Sequence, residues 1–285
     1  MKEFFGIGGF QREPEGAWSW QHILFVSLVL ITAISLAIWL GKTFANREDK
    51  EKNKVLIWAA ILIDGFELIK IIVNCSIDGI AAMRVMLPLF LCSIQLIAIP
   101  LAAFSKGRIR EASLDFVMIF GILGGVLGTV GAVQNYNAYP VLSMPNVVSA
   151  ITHSISAFAS LYIMIAKMRS MKMENMWITL TILGGFTAAA LIANFALDYN
   201  YMFLMSHDGT PYVIFWNLVG GIQVLYTITV IAIFVVYILG FYYIYNWIVT
   251  KTNPFAKKAS AEPTPIFEAQ AAIAVAEDKS ENSEE

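Results

Sequence analysis

Seven apolar runs, each near the 20 or so residues a helix needs to cross a hydrocarbon core, dominate the chain. They cover residues 22–40, 55–75, 85–104, 112–133, 147–166, 177–197 and 212–249. Lipid offers no partner for a bare peptide group, so a run of this length crosses as a helix that satisfies its own backbone. Of the 285 residues 58% are hydrophobic and 14% charged, where soluble domains average about 45–50% and about 25%. The expected fold is all-α: a polytopic membrane protein with a single bundle of seven transmembrane helices in residues 22–250. The last run is too long for one crossing, and a tilt or a projecting end is expected there.

The loops carry a charge bias that sets orientation. Lys42, Arg47, Lys50, Lys52 and Lys54 follow the first run, and Lys106, Arg108 and Arg110 the third. Lys167, Arg169 and Lys172 follow the fifth, and Lys251, Lys257 and Lys258 the seventh. The opposite side holds Lys2, Arg12 and Arg84. The expected topology puts the N-terminus outside and the C-terminus in the cytoplasm, in a cell membrane of the bacterial plasma-membrane type. Residues 1–21 have mixed charge and no apolar run of signal-peptide length. Phe4, Phe5, Ile7 and Phe10 read as a short outer-surface segment, with Trp18 and Trp20 in an aromatic belt. Residues 251–285, with Pro254, Pro263, Pro265 and a run of acids from Glu277 to Glu285, read as a mostly disordered tail.

Composition also removes whole function classes. A net charge of −2 with thinly spread Lys and Arg leaves no nucleic-acid footprint. Two cysteines and three histidines make no disulfide scaffold and no Cys-rich or multi-His metal centre. No cofactor or metal is expected, and no protein partner; membrane phospholipids are the expected partners. A retinal protein needs a lysine in its last span, yet no Lys or Arg lies between Lys172 and Lys251. The Asp-Arg-Tyr and Asn-Pro-x-x-Tyr motifs of receptors are missing too.

Ionisable groups inside spans are functional candidates by default. The second run holds Asp64, Glu67, Lys70 and Asn74 at steps of three, three and four, read as one helix face. The third holds Cys92 and Gln95, the fifth Ser149, His153, Ser156 and Ser160, the sixth Asn194. At 1.5 Å per residue, Cys92 falls about 11 Å below the outer boundary, His153 about 9 Å, Glu67 about 13 Å, Lys70 about 9 Å and Asn194 about 6 Å. Asp64 and Gln95 lie deeper. Residues from four helices thus share a level, and Cys92, His153, Glu67 and Asn194 are expected to line one cavity. Each also has a plainer reading: Glu67 and Lys70 as a paired charge that glues helices, Cys92 as a small buried hydrophobe, His153 as a packed histidine. Gly121, Gly124, Gly125, Gly128 and Gly131 in the fourth run, and Gly184–Gly185 with Ala188–Ala189 in the sixth, read as small residues for close helix packing.

Two segments carry a resemblance. Leu87-Pro88-Leu89-Phe90-Leu91-Cys92-Ser93-Ile94 resembles the LPLHLCSI-like segment of bacterial YwaF-type integral membrane proteins, with Phe90 where that family usually has histidine. His153 after an apolar stretch, Asn194, Asn200-Tyr201-Met202-Phe203-Leu204, and Pro14-Glu15-Gly16 leading to His22 look like its other motifs. The likeness covers residues 4–247. That family looks related to the transmembrane protein 164 family, a membrane acyltransferase that moves fatty acyl chains between phospholipids. It is also distantly similar to intramembrane lipid hydrolases with a Thr nucleophile and a His. The resemblance implies Cys92 and His153 as a catalytic pair acting through an acyl thioester. Glu67, Lys70, Asp64, Gln95, Asn194, Asn200 and His22 are supporting or substrate-binding candidates. The alternative is a non-catalytic lipid- or solute-binding membrane protein or transporter.

Overall fold

The computed structural model describes residues 1–168 and 171–252, with the side chains of 249–252 left aside. The tail from residue 253 and Arg169 lie outside the described residues. Among those described, all regular structure is helical: α1 (Lys2–Phe5), α2 (Trp20–Phe44), α3 (Asp49–Asp78), α4 (Met83–Met86), α5 (Gln95–Phe104), α6 (Gly107–Val130), α7 (Val133–Ala138), α8 (Met144–Ile165), α9 (Met176–Leu197), α10 (Val213–Leu218) and α11 (Gln223–Thr252), with three short 3-10 turns. Helix starts follow the local chemistry. The Ser19 hydroxyl caps α2 by accepting the His22 amide at 3.2 Å, Asp49 and Glu51 sit in the positive first turn of α3, and a proline occupies the first turn of α8.

Among the described residues, five helices are long and apolar enough to cross a membrane: α2, α6, α8, α9 and α11. The 30-residue α3 has the length but carries charge in its middle. The third apolar run departs from the expected continuous helix. Pro88 lacks an N–H and pushes Leu87 out of the helical region, and Leu87 has ψ 139. Helix resumes only at Gln95, which leaves Cys92 in a turn. The seventh run neither tilts through nor projects whole. It divides at Gly220 and Gly221, whose φ of 66 and 75 end α10 before α11 begins.

The core forms around α6, which is buried on every side from Ala112 to Gly121. Helix α8 packs on α6, α2 and α3, α5 packs on α6 and α3, and α9 packs on α11 and α6. The glycines of α6 do pack closely: a Cβ at Gly121 would lie 2.6 Å from the Ser156 carbonyl oxygen and one at Gly125 2.4 Å from Ala157 Cβ. Those of α9 do not. A Cβ added at Gly184 or Gly185 would meet nothing within 4 Å, so neither is needed for close packing. Large exposed apolar side chains along α2, such as Leu28 at 57% and Ile31 at 62%, form a surface suited to hydrocarbon rather than water.

Hydrogen bonds gather the connections into two sets. At one end Arg110 meets Asp49 and Asn53, each at 3.4 Å, Asn53 donates to the Ala103 carbonyl at 2.7 Å, and Tyr162 donates to the Lys52 carbonyl at 3.0 Å. At the other, the Ala17 amide donates to Asn137 at 2.8 Å, the Tyr201 hydroxyl to the Arg84 carbonyl, and Gln134 to the Asp208 carbonyl.

The N-terminal segment is strapped to this second end. Glu3 accepts the amides of Gln11 and Arg12 at 3.1 Å, and Glu15 accepts the Val141 amide at 2.8 Å while pairing with Arg12 at 3.5 Å. Burial works to raise the Glu15 carboxyl, but the Val141 amide, its own amide and Arg12 outweigh it and hold the group below its ordinary value of 4.5. A depressed carboxylate stabilises above its unfolded value and loses that contribution as pH falls through the folded one. Proteolysis within residues 1–18 in micelles is therefore expected to be slow at neutral pH and to accelerate only as pH falls below the ordinary carboxyl value. Glu15→Gln should cleave quickly across the whole range; a flat, slow profile in that variant would show that the strap does not depend on this carboxylate.

Candidate functional site

The break at Pro88 turns Cys92 toward α3 and α8, where a cavity of about 40 Å³ is walled by Ile63, Glu67, Lys70, Cys92, Ser93, Leu96, Ser149, Thr152, His153 and Ser156. Room of that size takes one or two waters or the end of an ester. Cys92, Ser93 and His153 share this cavity wall, and the thiol and the imidazole lie close enough to influence each other.

The orientation of His153 follows from its contacts. Its Nδ1 lies 2.7 Å from the Ser149 carbonyl and 3.3 Å from the Ser149 hydroxyl. A carbonyl only accepts, so Nδ1 carries the hydrogen and the Nε2 lone pair is left for a proton. The other side of the ring lies on α6. A Cβ at Gly128 would sit 1.9 Å from His153 Cδ2 and 2.2 Å from Nε2, and one at Gly124 3.4 Å from Cys92 Cβ. The glycine stripe of α6 thus both closes the helix interface and makes the space in which Cys and His meet.

The Lys70 ammonium bonds Glu67 at 2.6 Å on the cavity wall, and its charge acts on the His153 ring. Glu67 is buried and Lys70 half-buried. The amides of Leu91 and Ser93 donate to no acceptor among the described residues, while that of Cys92 points at its own sulfur.

The remaining candidates lie elsewhere. Asp64 is exposed on the flank of α3; each step of three turns a helix by 300°, so Asp64, Glu67 and Lys70 spread over about 120° of surface rather than one line. Gln95 is fully buried, faces away from the cavity, and keeps both amide atoms without a partner among the described residues. Asn194 is not on the cavity wall. It accepts the Tyr201 amide at 2.6 Å and donates to the Tyr201 carbonyl at 3.1 Å. Asn200 likewise pins its own loop, accepting from Met205 and donating to Ser206 and Asp208. His22 takes the Trp18 amide on Nδ1 at 2.9 Å and lies 3.9 Å from the Tyr136 ring, far along the chain from Cys92. Phe90 packs with Tyr199, Tyr201 and Phe203 at centroid distances of 6.2, 5.5 and 5.6 Å, an aromatic cluster outside the cavity.

Some participants were not singled out from sequence. Ile63 and Leu96 complete the wall. A buried polar chain in α6, α9 and α11 also went unread: Thr179 meets the Tyr242 hydroxyl at 2.9 Å, and that hydroxyl bonds Asp115 at 3.1 Å. Among the described residues no three His, Cys, Asp or Glu side chains are grouped to hold a metal. Cys75 and Cys92 are both free thiols.

These features define an α-helical integral membrane protein with a small polar cavity enclosed among its helices. The sequence profile of the TMEM164 family matches residues 17–242, and the chain belongs to that family. No curated protein and no solved structure matches it.

Proposed function

We propose that the protein is an acyltransferase or acyl hydrolase of membrane phospholipids, with Cys92 as nucleophile and His153 as general base. The observation that carries this reading is the meeting of a thiol with an imidazole whose tautomer leaves Nε2 free to take a proton. In the first half-reaction His153 removes the thiol proton as the sulfur attacks the ester carbonyl carbon. The ester C–O bond breaks, the acyl group stays on sulfur as a thioester, and His153 passes the proton to the departing glycerol oxygen. A lysolipid hydroxyl, or water, then attacks the thioester, gives its proton to His153, and the thiol is restored. The free amide of Ser93 is a donor for the oxyanion, and Lys70, held by Glu67, supplies a cation for the phosphate or the developing charge. The likeness of the Leu87–Ile94 segment to YwaF-type proteins, and through them to acyl transfer, supports the same chemistry.

The test is purified protein in nanodiscs with a labelled phospholipid and a lysolipid acceptor, followed by mass spectrometry of the Cys92 peptide. The expected result is acyl transfer to the acceptor, with an acyl adduct of Cys92 trapped at short times. Turnover without an adduct, and undiminished in Cys92→Ala, would remove the mechanism.

The reading includes a topology of seven crossings in a bacterial plasma membrane, N-terminus outside. The two sets of connections described above support it, because the basic residues gather in one set. Single cysteines placed at Asn137 are expected to react with an impermeant thiol reagent in intact cells, and those at Arg108 only after lysis. The reverse pattern would invert the protein in the membrane.

A further inference from the structure

A second cavity lies apart from the first. It is a groove of about 530 Å³ between α5, α6 and α9, open to the side and lined almost wholly by apolar atoms. Its two hydroxyls are turned away from it: Ser113 donates to the Ile109 carbonyl and Thr181 to the Trp177 carbonyl, each at 2.8 Å within its own helix. Its floor on α9 is Gly185, where an added Cβ would meet nothing within 4 Å. A mid-helix glycine costs roughly 1 kcal/mol against alanine, and here that cost secures no helix contact, only space.

The groove has a length and a polarity. From Arg108 to Phe116 on α6 and from Ile178 to Ala189 on α9 it runs about 12–17 Å at 1.5 Å per residue, close to the ~15 Å of one hydrocarbon leaflet. One end carries a cation, Arg108, which has no ion pair among the described residues, whereas its neighbour Arg110 is engaged by Asp49 and Asn53. Arg108 also sits in the first turn of a 24-residue helix with no acidic residue and no side-chain cap there, so the local field is positive.

We propose that this groove is a resident site for a glycerophospholipid of the leaflet at the Arg108 end. Its phosphate lies against Arg108 and the start of α6, and one acyl chain lies along Gly185 between α5 and α9. Charge complementarity at one end, and apolar walls of leaflet length beyond it, fix the occupant and its direction. This lipid is not the acyl donor proposed above. Ile94, Ile97, Ala98 and Leu101 face the groove, while Cys92, Ser93 and Leu96 face the other cavity, so the two sites use opposite sides of one segment. The lipid instead fills the gap left between α9 and α5.

The experiment uses full-length protein in phosphatidylcholine nanodiscs doped with a phosphatidylglycerol that carries a mid-chain diazirine. Photo-cross-links are mapped by mass spectrometry. Cross-links are expected on residues 94–101 and 178–189, enriched over the exposed face of α2. Gly185→Leu should remove them by filling the floor, and Arg108→Ala should lower them roughly fivefold, the effect of one cation near a lipid surface. Cys92→Ala should leave them unchanged, which separates this site from the catalytic reading. Labelling in the groove no stronger than on α2, and insensitive to both variants, would mean ordinary boundary lipid and overturn the proposal. So would cross-links from groove residues to a second copy of the chain.

Discussion

Cys92→Ala is expected to abolish acyl transfer while the protein still inserts and folds, because a small side chain replaces a small one beside a cavity of about 40 Å³. His153→Ala should keep the nucleophile and lose its base, lowering turnover by a factor of ~10²–10⁴. Cys75→Ala is the internal control. Cys75 lies at the end of α3, outside the cavity wall, and its loss should change neither rate nor adduct. A cluster that merely held helices together would rank the variants differently. Glu67→Ala would then be the most damaging, because it leaves Lys70 half-buried without its partner at 2.6 Å. Melting temperature and turnover, measured side by side, separate the two orders. If Glu67→Ala lowers stability most and Cys92→Ala leaves turnover intact, the cluster is structural.

The membrane character was legible because it depends on composition and run length alone, and lipid leaves a long apolar run few alternatives. Where the chain breaks was written less loudly. Pro88 and the Gly220–Gly221 pair both stood in view, yet hydropathy averages over them and returns a continuous span. Backbone chemistry overrides that average locally: a missing N–H at residue 88, and two residues at positive φ before α11.

The site shows a different limit. Depth along the membrane normal is a single coordinate, and it placed Cys92, His153, Glu67 and Asn194 on one level. Which way each faces is set by the neighbours of its helix, which one sequence does not give. Asn194 was assigned the same level, but it turns to the Tyr201 backbone, where it satisfies an amide and a carbonyl that the 3-10 turn cannot. Asn200 does the same for its loop. Asparagine side chains readily bond nearby backbone groups, and both residues do so, Asn194 from the last turn of α9 and Asn200 from the loop after it. Asp64 was misplaced by treating steps of three as a straight line. For Cys92 and His153 the level sufficed because the glycines of α6 bring the two elements together.

Those glycines supply the second large effect. Gly128→Ala adds one methyl in a helix that alanine otherwise favours by roughly 1 kcal/mol, yet that methyl would lie 1.9 Å from Cδ2 and 2.2 Å from Nε2 of His153. One of two things must yield. Parting α6 from α8 would open an interface closed by Gly121 and Gly125, whose neighbours already stand at 2.6 and 2.4 Å from a built Cβ. Turning the imidazole sacrifices its contacts with the Ser149 carbonyl and hydroxyl. The ring is the softer partner, and turning it changes how the imidazole meets the thiol. Gly128→Ala is therefore expected to fold with little loss of melting temperature and to cost turnover about as much as His153→Ala, ~10²–10⁴-fold. Gly124→Ala, with its Cβ at 3.4 Å from Cys92 Cβ, should stay within roughly tenfold of the parent, and Gly184→Ala, in open space, should leave turnover unchanged. The double variant Gly128→Ala/His153→Ala separates steric displacement of the base from general damage: if the methyl acts only through the ring, the two losses are not additive. Full multiplication of the two effects would show that Gly128 supports activity by some route other than the placement of His153.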